Sequence, residues 1–512
     1  MDRKWWTLTA VLVGVFMLLL DVTIVNVALP NIQRDLGSSF SDLQWVIDAY
    51  ALTLASTLLV SGSVADLVGR RRVFVIGLVV FSLASLGCGL VDTPLHLNLF
   101  RGVQGIGGGM MFATSLALIA QAFQGRERGI AFGAFGAVTG ASVAIGPVLG
   151  GVLTDAFGWQ AVFLVNIPVG VMAVAMTLAK VVESRDPNPA GIDFPGAVAL
   201  TGSLFLLIFA LVRGNSEGWG STQIVSFLIG SAVLLAIFIA VETRRENPLF
   251  DLSLMRKPAF LGASLAAFCL SASMFAMFLY LTLYLQGVLD YSPLEAGLRF
   301  LPVSLLSFLV GPIAGRLSER MPVRTLMGGG LALVGLGLIL MHGVTASDDW
   351  TTLLAGFLVA GVGIGLVNPP LASTAIGVVE QRRSGMASGI NSTFRQIGLA
   401  TGIAALGAIF QHRVDATVAD ALAGTPAAGR AGQFSEAIAA GAGDRAAAGA
   451  PPAMRGQLTD LAHHAFISGM NTLLIVTAAV AVVGAIGSAV LVRQRDFVVH
   501  GAPAADPPKV AA

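Results

Sequence analysis

The sequence predicts an all-α polytopic membrane protein of fourteen transmembrane helices, and three observations predict it. Of the 512 residues 55% are hydrophobic and only 12% charged, a balance no soluble domain of this length needs for its core. Apolar runs of about 20 residues, enough to cross a bilayer, recur with short polar breaks. Basic residues gather at alternate ends of those runs, as the positive-inside rule requires of a chain threaded back and forth. The net charge of +1 says little about partners, whereas this distribution says much.

Taken in order, the runs lie at about 6–29, 43–62, 73–91, 95–122, 129–152, 160–181 and 194–212, then 222–241, 259–285, 294–314, 325–342, 352–377, 386–410 and 466–492. The first is too long for a signal-peptide core and is expected to be retained. One set of ends carries Arg3 and Lys4, Arg70 to Arg72, Arg126 and Arg128, Lys180 and Arg185, and Arg244 and Arg245. The same set continues with Arg256 and Lys257, Arg316, Arg320 and Arg324, Arg382 and Arg383, and Arg493 and Arg495. The opposite short loops hold only Arg34 and Arg213, so both termini are expected in the cytoplasm and the number of spans is even. The Ala- and Gly-rich segment from His412 to His464 then lies outside and reads as a flexible loop, and the tail from Asp496 to Ala512 as disordered.

Charges inside the runs are where function is sought. Asp21 sits within VLVGVFMLLLDVTIVNVALP, Val11 to Pro30, where an ionised acid costs about 2.5–3.5 kcal/mol on insertion scales. Such an acid faces a bundle interior or a wet cavity and marks an ion or proton pathway by default, although it also serves to bond neighbouring helices. Arg101, Arg299 and Arg395 need partners too. At 1.5 Å per residue Asp21 lies about 13 Å below Pro30 and Arg101 about 9 Å below Leu95, compatible depths for a pair. Asp48, about 7 Å into the second run from Leu43, competes for the same role. Glu295 stands four residues before Arg299, a spacing that predicts a local ion pair, while Arg395 has no acid nearby in sequence.

Five short stretches carry a family resemblance. The loop GSVADLVGRRR, Gly62 to Arg72, resembles the signature loop of the major facilitator superfamily, with Leu67 where a basic residue is usual. The resemblance implies a conformational latch made by Gly62, Asp66, Gly69, Arg70 and Arg71, centred on Asp66 and Arg70. LFRGVQGIGGGMMFA matches the family's arginine-and-glycine motif at Arg101, Gln104, Gly105 and Gly107. GAVTGASVAIGPVLGG resembles the exporter motif at Gly146, Pro147, Gly150 and Gly151, with Ser142 replacing a glycine. WQAVFLVNIP, Trp159 to Pro168, resembles the start of the sixth helix of drug exporters, and GPIAGRLSERMPVR, Gly311 to Arg324, a degraded second copy of the Gly62 loop.

Together these features are similar to the fourteen-span drug:proton antiporters, in which two helices are added between two six-helix halves. The resemblance implies an N-terminal bundle over 1–185, two added helices and linkers over 186–257, and a C-terminal bundle over 258–512 with an extracytoplasmic loop at about 412–463. It implies export of amphipathic, cationic drugs or toxic small molecules in exchange for protons, or dedicated export of one self-made metabolite. Asp21, Arg101 and Asp48 are the proton-coupling and substrate candidates. The expected partners are a small-molecule substrate, protons and the lipid bilayer of the cell membrane, around a monomeric chain that binds no nucleic acid. No cofactor is expected, and Lys4, Lys180, Lys257 and Lys509 never follow a glycine, so no phosphate-binding loop powers it. One proton moving down 100 mV yields about 2.3 kcal/mol, enough for roughly fortyfold accumulation of a neutral solute. The six histidines lack metal-ligand spacing and no nucleophile motif appears, which argues against an enzyme. Cys88 and Cys269 lie in apolar runs and read as core filler; Met274, Phe275, Met277, Phe278 and Tyr280 offer a flexible and aromatic lining, or a lipid-facing surface.

Overall fold

An uninterrupted apolar run makes α1 (Arg3–Leu36) about 51 Å long, until Gly37 takes a left-handed φ of +62° and its N–H caps the carbonyl of Gln33. In the computed structural model, described at residues 2–123, 125–185, 193–245, 250–318, 320–379, 384–425, 427–493 and 496, no strand occurs among the described residues. The chain continues through α2 (Phe40–Val68), α3 (Arg70–Leu90), α4 (Pro94–Ala122), α5 (Gly125–Phe157), α6 (Ala161–Leu164) and α7 (Asn166–Lys180). Then come α8 (Phe194–Glu217), α9 (Thr222–Glu242), α10 (Pro258–Leu270), α11 (Ala276–Leu283), α12 (Pro293–Arg299) and α13 (Leu301–Leu317). The last are α14 (Val323–Leu340), α15 (Thr351–Gly377), α16 (Ser384–Leu422), α17 (Ala431–Ala439), α18 (Gly443–Ala448) and α19 (Pro452–Leu491).

Among the described residues 11 helices are long and apolar enough to cross a membrane, or 12 when α12 and α13, bent by 41°, form one span. α2 and α5 occupy the other two positions at which the sequence predicts a crossing. Three spans expected to be unbroken are interrupted. Pro168 denies a donor to the carbonyl of Leu164, and the helix breaks there into α6 and α7; Pro302 does the same beside the bend at Phe300. Ser271–Phe275 and Tyr284–Val288 are π-helical turns flanking α11.

The segment 412–463, expected as a flexible loop, is largely helical. α16 and α19 run 39 and 40 residues, about 60 Å each, twice the hydrocarbon thickness, so both project beyond the spans. Between them α17 and α18 form a cap. It is folded because it has something to bury: Ile438 and Ala439 are fully enclosed, Ser435 donates to Asp415, and His463 meets Asp444 at 2.9 Å. Gly441, at φ +74°, presses its carbonyl against Gly287. Alanine and glycine, read as markers of flexibility, here allow close backbone approach. The tail beyond Asp496, with Val510, lies outside the described residues, as do Arg382 and Arg383.

Two groups of helices emerge from the packing. In one, α4 packs between α2 and α3 while α1 packs on α5 and α7; in the other, α14 and α13 pack on α15, and α19 packs on α14 and α10. The groups meet where α2 lies along α16 and where α5 lies along α12 and α13. The hairpin α8–α9 is tied by reciprocal bonds between Ser203 and Ser231, and α8 rests on both α2 and α16. Near the cap, Phe40 of α2, Tyr280 of α11 and Phe410 of α16 stack with centroids 5.3–6.1 Å apart. Beneath them Gln44 and Tyr280 both donate to the carbonyl of Ile403, at 2.9 and 3.1 Å.

Glycine decides how closely the groups approach. A Cβ on Gly151 would lie 2.6 Å from the carbonyl oxygen of Pro293 and the Cα of Leu294, and one on Gly297 would strike the Pro147 carbonyl. Gly151→Leu should therefore part α5 from α12 and lower stability by about 1–3 kcal/mol, the usual range for overpacking. Gly329→Leu, at a position with open space beside it, should leave the thermal unfolding midpoint unchanged. Equal midpoints for both purified variants would contradict the assigned contact.

Candidate functional site

Small residues bring two opposite charges together. On α4, Gly105 leaves no room for a Cβ against the Tyr50 carbonyl of α2, and Gly107 none against the backbone of α3 at Phe81. That close packing carries Arg101 inward until it is 1% exposed, facing α1. Its Nη1 donates to Asp21 Oδ2 at 2.5 Å, and its Nε donates to the Val46 carbonyl at 2.8 Å. The guanidinium also sits 4.3 Å from the centroid of the Tyr50 ring. The depths counted along the helices thus do bring Asp21 and Arg101 into contact.

Asp21 itself is fully buried and accepts more than the arginine. Its Oδ1 receives Gln104 Nε2 at 2.9 Å and Asn166 Nδ2 at 3.1 Å. Ser85 Oγ accepts from both amides and donates to the Phe163 carbonyl. Gln104 Oε1 accepts from Arg101 Nη1 at 2.8 Å and from the Cys88 thiol at 3.8 Å, so this cysteine is more than filler. The pair is charge-compensated and closed off, with every bond supplied by α1, α2, α3, α4 and the α6–α7 break. Asn166 and Ser85 are missed by the sequence reading; a lone amide beside a proline in an apolar run is the signal that was available.

Asp48 does not compete for Arg101. It is fully buried on the face of α2 that meets α16, one turn below Gln44, within electrostatic reach of Tyr280. Among the described residues neither of its carboxylate oxygens has a hydrogen-bond partner. A buried acid without partners is held at a desolvation cost that an arriving cation or proton relieves. Among the described residues Arg395 of α16 meets no acid; its Nη2 donates to Asn368 Oδ1 at 2.9 Å. The predicted Glu295–Arg299 ion pair does not form. Glu295 spends its carboxylate on a capping box with Ser292, while Arg299 donates to the Glu295 carbonyl and stacks 3.5 Å from the Tyr291 ring centroid and 5.5 Å from that of Trp350. Outside the spans, the Tyr291 hydroxyl bonds Asp349 and holds that carboxyl below its ordinary range.

The exporter-motif helix touches this site and the other group at once. Gly146 and Gly150 of α5 press on Thr23 and Ile24, two and three residues past Asp21, where Thr23 Oγ1 bonds the Ser142 carbonyl at 3.3 Å. Pro147 and Gly151 press on α12. Met274, Met277 and Tyr280 are fully buried rather than turned to lipid, and Phe278 is nearly so.

At the opposite end, Gly62 lies within α2 and Gly69, at φ +123°, joins α2 to α3. The side chain of Asp66 lies outside the described residues. What is seen is a partner absent from the motif: Glu183, after α7, whose Oε1 accepts the Arg71 N–H at 3.0 Å and whose Oε2 lies 3.7–3.9 Å from Arg71 and Arg72. The Arg70 N–H donates to the Ser184 carbonyl at 2.9 Å. A Cβ on Gly69 would collide with the Glu183 carboxyl, which explains a glycine there beyond its backbone angle.

A model of the Major Facilitator Superfamily matches residues 11–403. The chain is 36% identical over 418 residues to the multidrug resistance protein Stp of Mycobacterium tuberculosis, covering 80% of this chain and 77% of that one. It is 32% identical over 487 residues to the tetracenomycin C resistance and export protein of Streptomyces glaucescens, covering 94% and 90%. Among solved structures, an inward-facing bacterial homolog of the human lysosomal transporter Spinster superposes with a TM-score of 0.65 over 98% of this chain and 99% of that one, a likeness of fold at 17% identity. The chain is a multi-pass membrane transporter, not an enzyme, and belongs to the Major Facilitator Superfamily.

Proposed function

We propose that the protein exports amphipathic, cationic drug-like molecules across the cell membrane in exchange for protons, by alternating access of the two helix groups. The observation that carries this reading is the enclosed Asp21–Arg101 network, on a helix that α5 clamps by Gly146 and Gly150 while gripping α12 of the other group. Protonating Asp21 removes the charge that Arg101 answers, and a shift of α1 against α5 is thereby felt across the interface. Asp48, at the interface and unpartnered, supplies the negative charge a cationic substrate or a second proton meets. Drug resistance and export in the relatives support the substrate class.

The finer assignment is the fourteen-span antiporter branch. It is supported by helices at all fourteen expected positions and by α8–α9 lying between the groups, which then correspond to bundles over 1–185 and 258–512. Loop charges support an orientation with Arg3 in the cytoplasm and Ala440 outside. The tetracenomycin-exporting relative, matched over 94% of this chain, favours dedicated export of one compound as a second reading.

Proteoliposomes with an imposed pH gradient test the function against a panel of cationic, neutral and anionic amphiphiles. Accumulation of several cations, abolished by a protonophore, is the expected result; accumulation of a single compound selects the second reading, and gradient-independent movement of all of them contradicts proton coupling.

The Glu183 contacts generate a separate expectation. Because they join the α2–α3 turn to the end of α7 away from the buried network, Glu183→Gln should slow turnover several-fold with substrate affinity unchanged. Rates and equilibrium binding measured in the same membranes check this, and lost affinity at an unchanged rate per bound substrate would refute a gating role.

A further inference from the structure

At the cap end, outside the network already described, a cavity of about 520 Å³ opens between the end of α14, the outer part of α16 and α19. Three basic side chains, His342, Arg413 and His464, line it, and no acidic residue does. Arg413 bonds Ser468 Oγ through its Nε at 3.2 Å, and among the described residues its two terminal nitrogens and both imidazoles have no hydrogen-bond partner. The polar wall is fixed, since Asn471 is bonded to Gly343 and to the Val344 carbonyl.

The cavity also has an apolar end. Ile475 is 54% exposed and begins a stripe on α19, with Val482, Val483, Ile486 and Val490, whose spacing keeps it on one outward face. Leu336, Ile339 and Leu340 of α14 are exposed in the same way, as a lipid-facing surface requires. His464 stands eleven residues above Ile475, about 16 Å along the helix, and the exposed stripe runs a further fifteen residues to Val490, about 22 Å, against about 15 Å for half the hydrocarbon thickness. A basic, water-level chamber thus leads onto an apolar track at least one leaflet deep. The arginine guanidinium and the imidazole N–H groups answer a phosphodiester, and the track answers an acyl chain.

We propose that this cavity binds an anionic phospholipid of the adjoining leaflet, its headgroup phosphate against His342, Arg413 and His464 and one acyl chain along α19. The proposal needs only that the chain spans a bilayer and goes beyond the transport reading. Occupancy would brace α14 and α19 beside α16, the helix that meets α2.

Native mass spectrometry and thermal unfolding of the purified full chain test it, with phosphatidylglycerol, phosphatidylcholine, diacylglycerol and inorganic phosphate as separate additions. Wild type should retain phosphatidylglycerol at least fivefold more than phosphatidylcholine or diacylglycerol. His342→Gln/Arg413→Gln/His464→Gln should lose that preference, and Arg455→Gln, exposed and outside the cavity, should keep it. Should the triple variant be unstable, Arg413→Gln alone should reduce retention at least twofold. Equal retention of the charged and zwitterionic lipids, or an unchanged preference in the cavity variants, overturns the proposal. Stabilisation by inorganic phosphate equal to that by phosphatidylglycerol also overturns it, since the site then binds a free anion and not a lipid.

Discussion

An acid and a base buried together in a helical bundle constrain everything around them. Removing one partner of such a pair costs about 3–5 kcal/mol, more than the roughly 2.3 kcal/mol one proton releases over 100 mV. A bare Asp21–Arg101 pair would therefore be too costly for a proton to open. The surroundings change that balance. When Asp21 is neutral, Arg101 still has the Val46 carbonyl, Gln104 Oε1 and the Tyr50 ring, and the amides of Gln104 and Asn166 still bond the carboxyl. On the proposed function, the network is what makes the charge exchangeable rather than merely structural.

Geometry then links charge to shape. α1 carries Asp21 and, within one turn, the Thr23 and Ile24 contacts that the glycines of α5 accept without a side chain between. α5 meets the second helix group through Pro147 and Gly151. Because close-packed helices shift as units rather than deform continuously, the proposed exchange at Asp21 would be passed to α12 through a single intermediate helix. On the other flank α2 carries Asp48 toward α16, beneath the clasp of Gln44 and Tyr280 on Ile403. The two acids thus lie on the two helices that touch the interface machinery.

Much of this is legible in the sequence because it is periodic or local. The apolar runs, the basic loops and the depth match between Asp21 and Arg101 require only a rise per residue and a charge count. Long-range choices are not legible. Glu295 is spaced for Arg299, yet capping its own helix competes and wins, because the orphan N–H groups of α12 lie closer than the guanidinium. Asn166 meets Asp21 and Ser85 at 145 and 81 residues' separation, and Glu183 meets Arg71 at 112, where no pattern in one chain points. The Ala- and Gly-rich cap was misread because composition reports flexibility only where nothing covers the segment, and here α16, α19 and the end of α11 do.

The central claim is that the proton acts at Asp21. Asp21→Asn keeps the shape of the side chain and its amide neighbours but cannot release a proton, and Thr23 and Asn26, committed to backbone carbonyls, offer no substitute. The decisive measurement follows substrate flux and internal pH together in proteoliposomes holding this variant under an imposed pH gradient. The account predicts downhill substrate movement without proton-driven accumulation; full gradient-driven accumulation would contradict it and move the proton to Asp48.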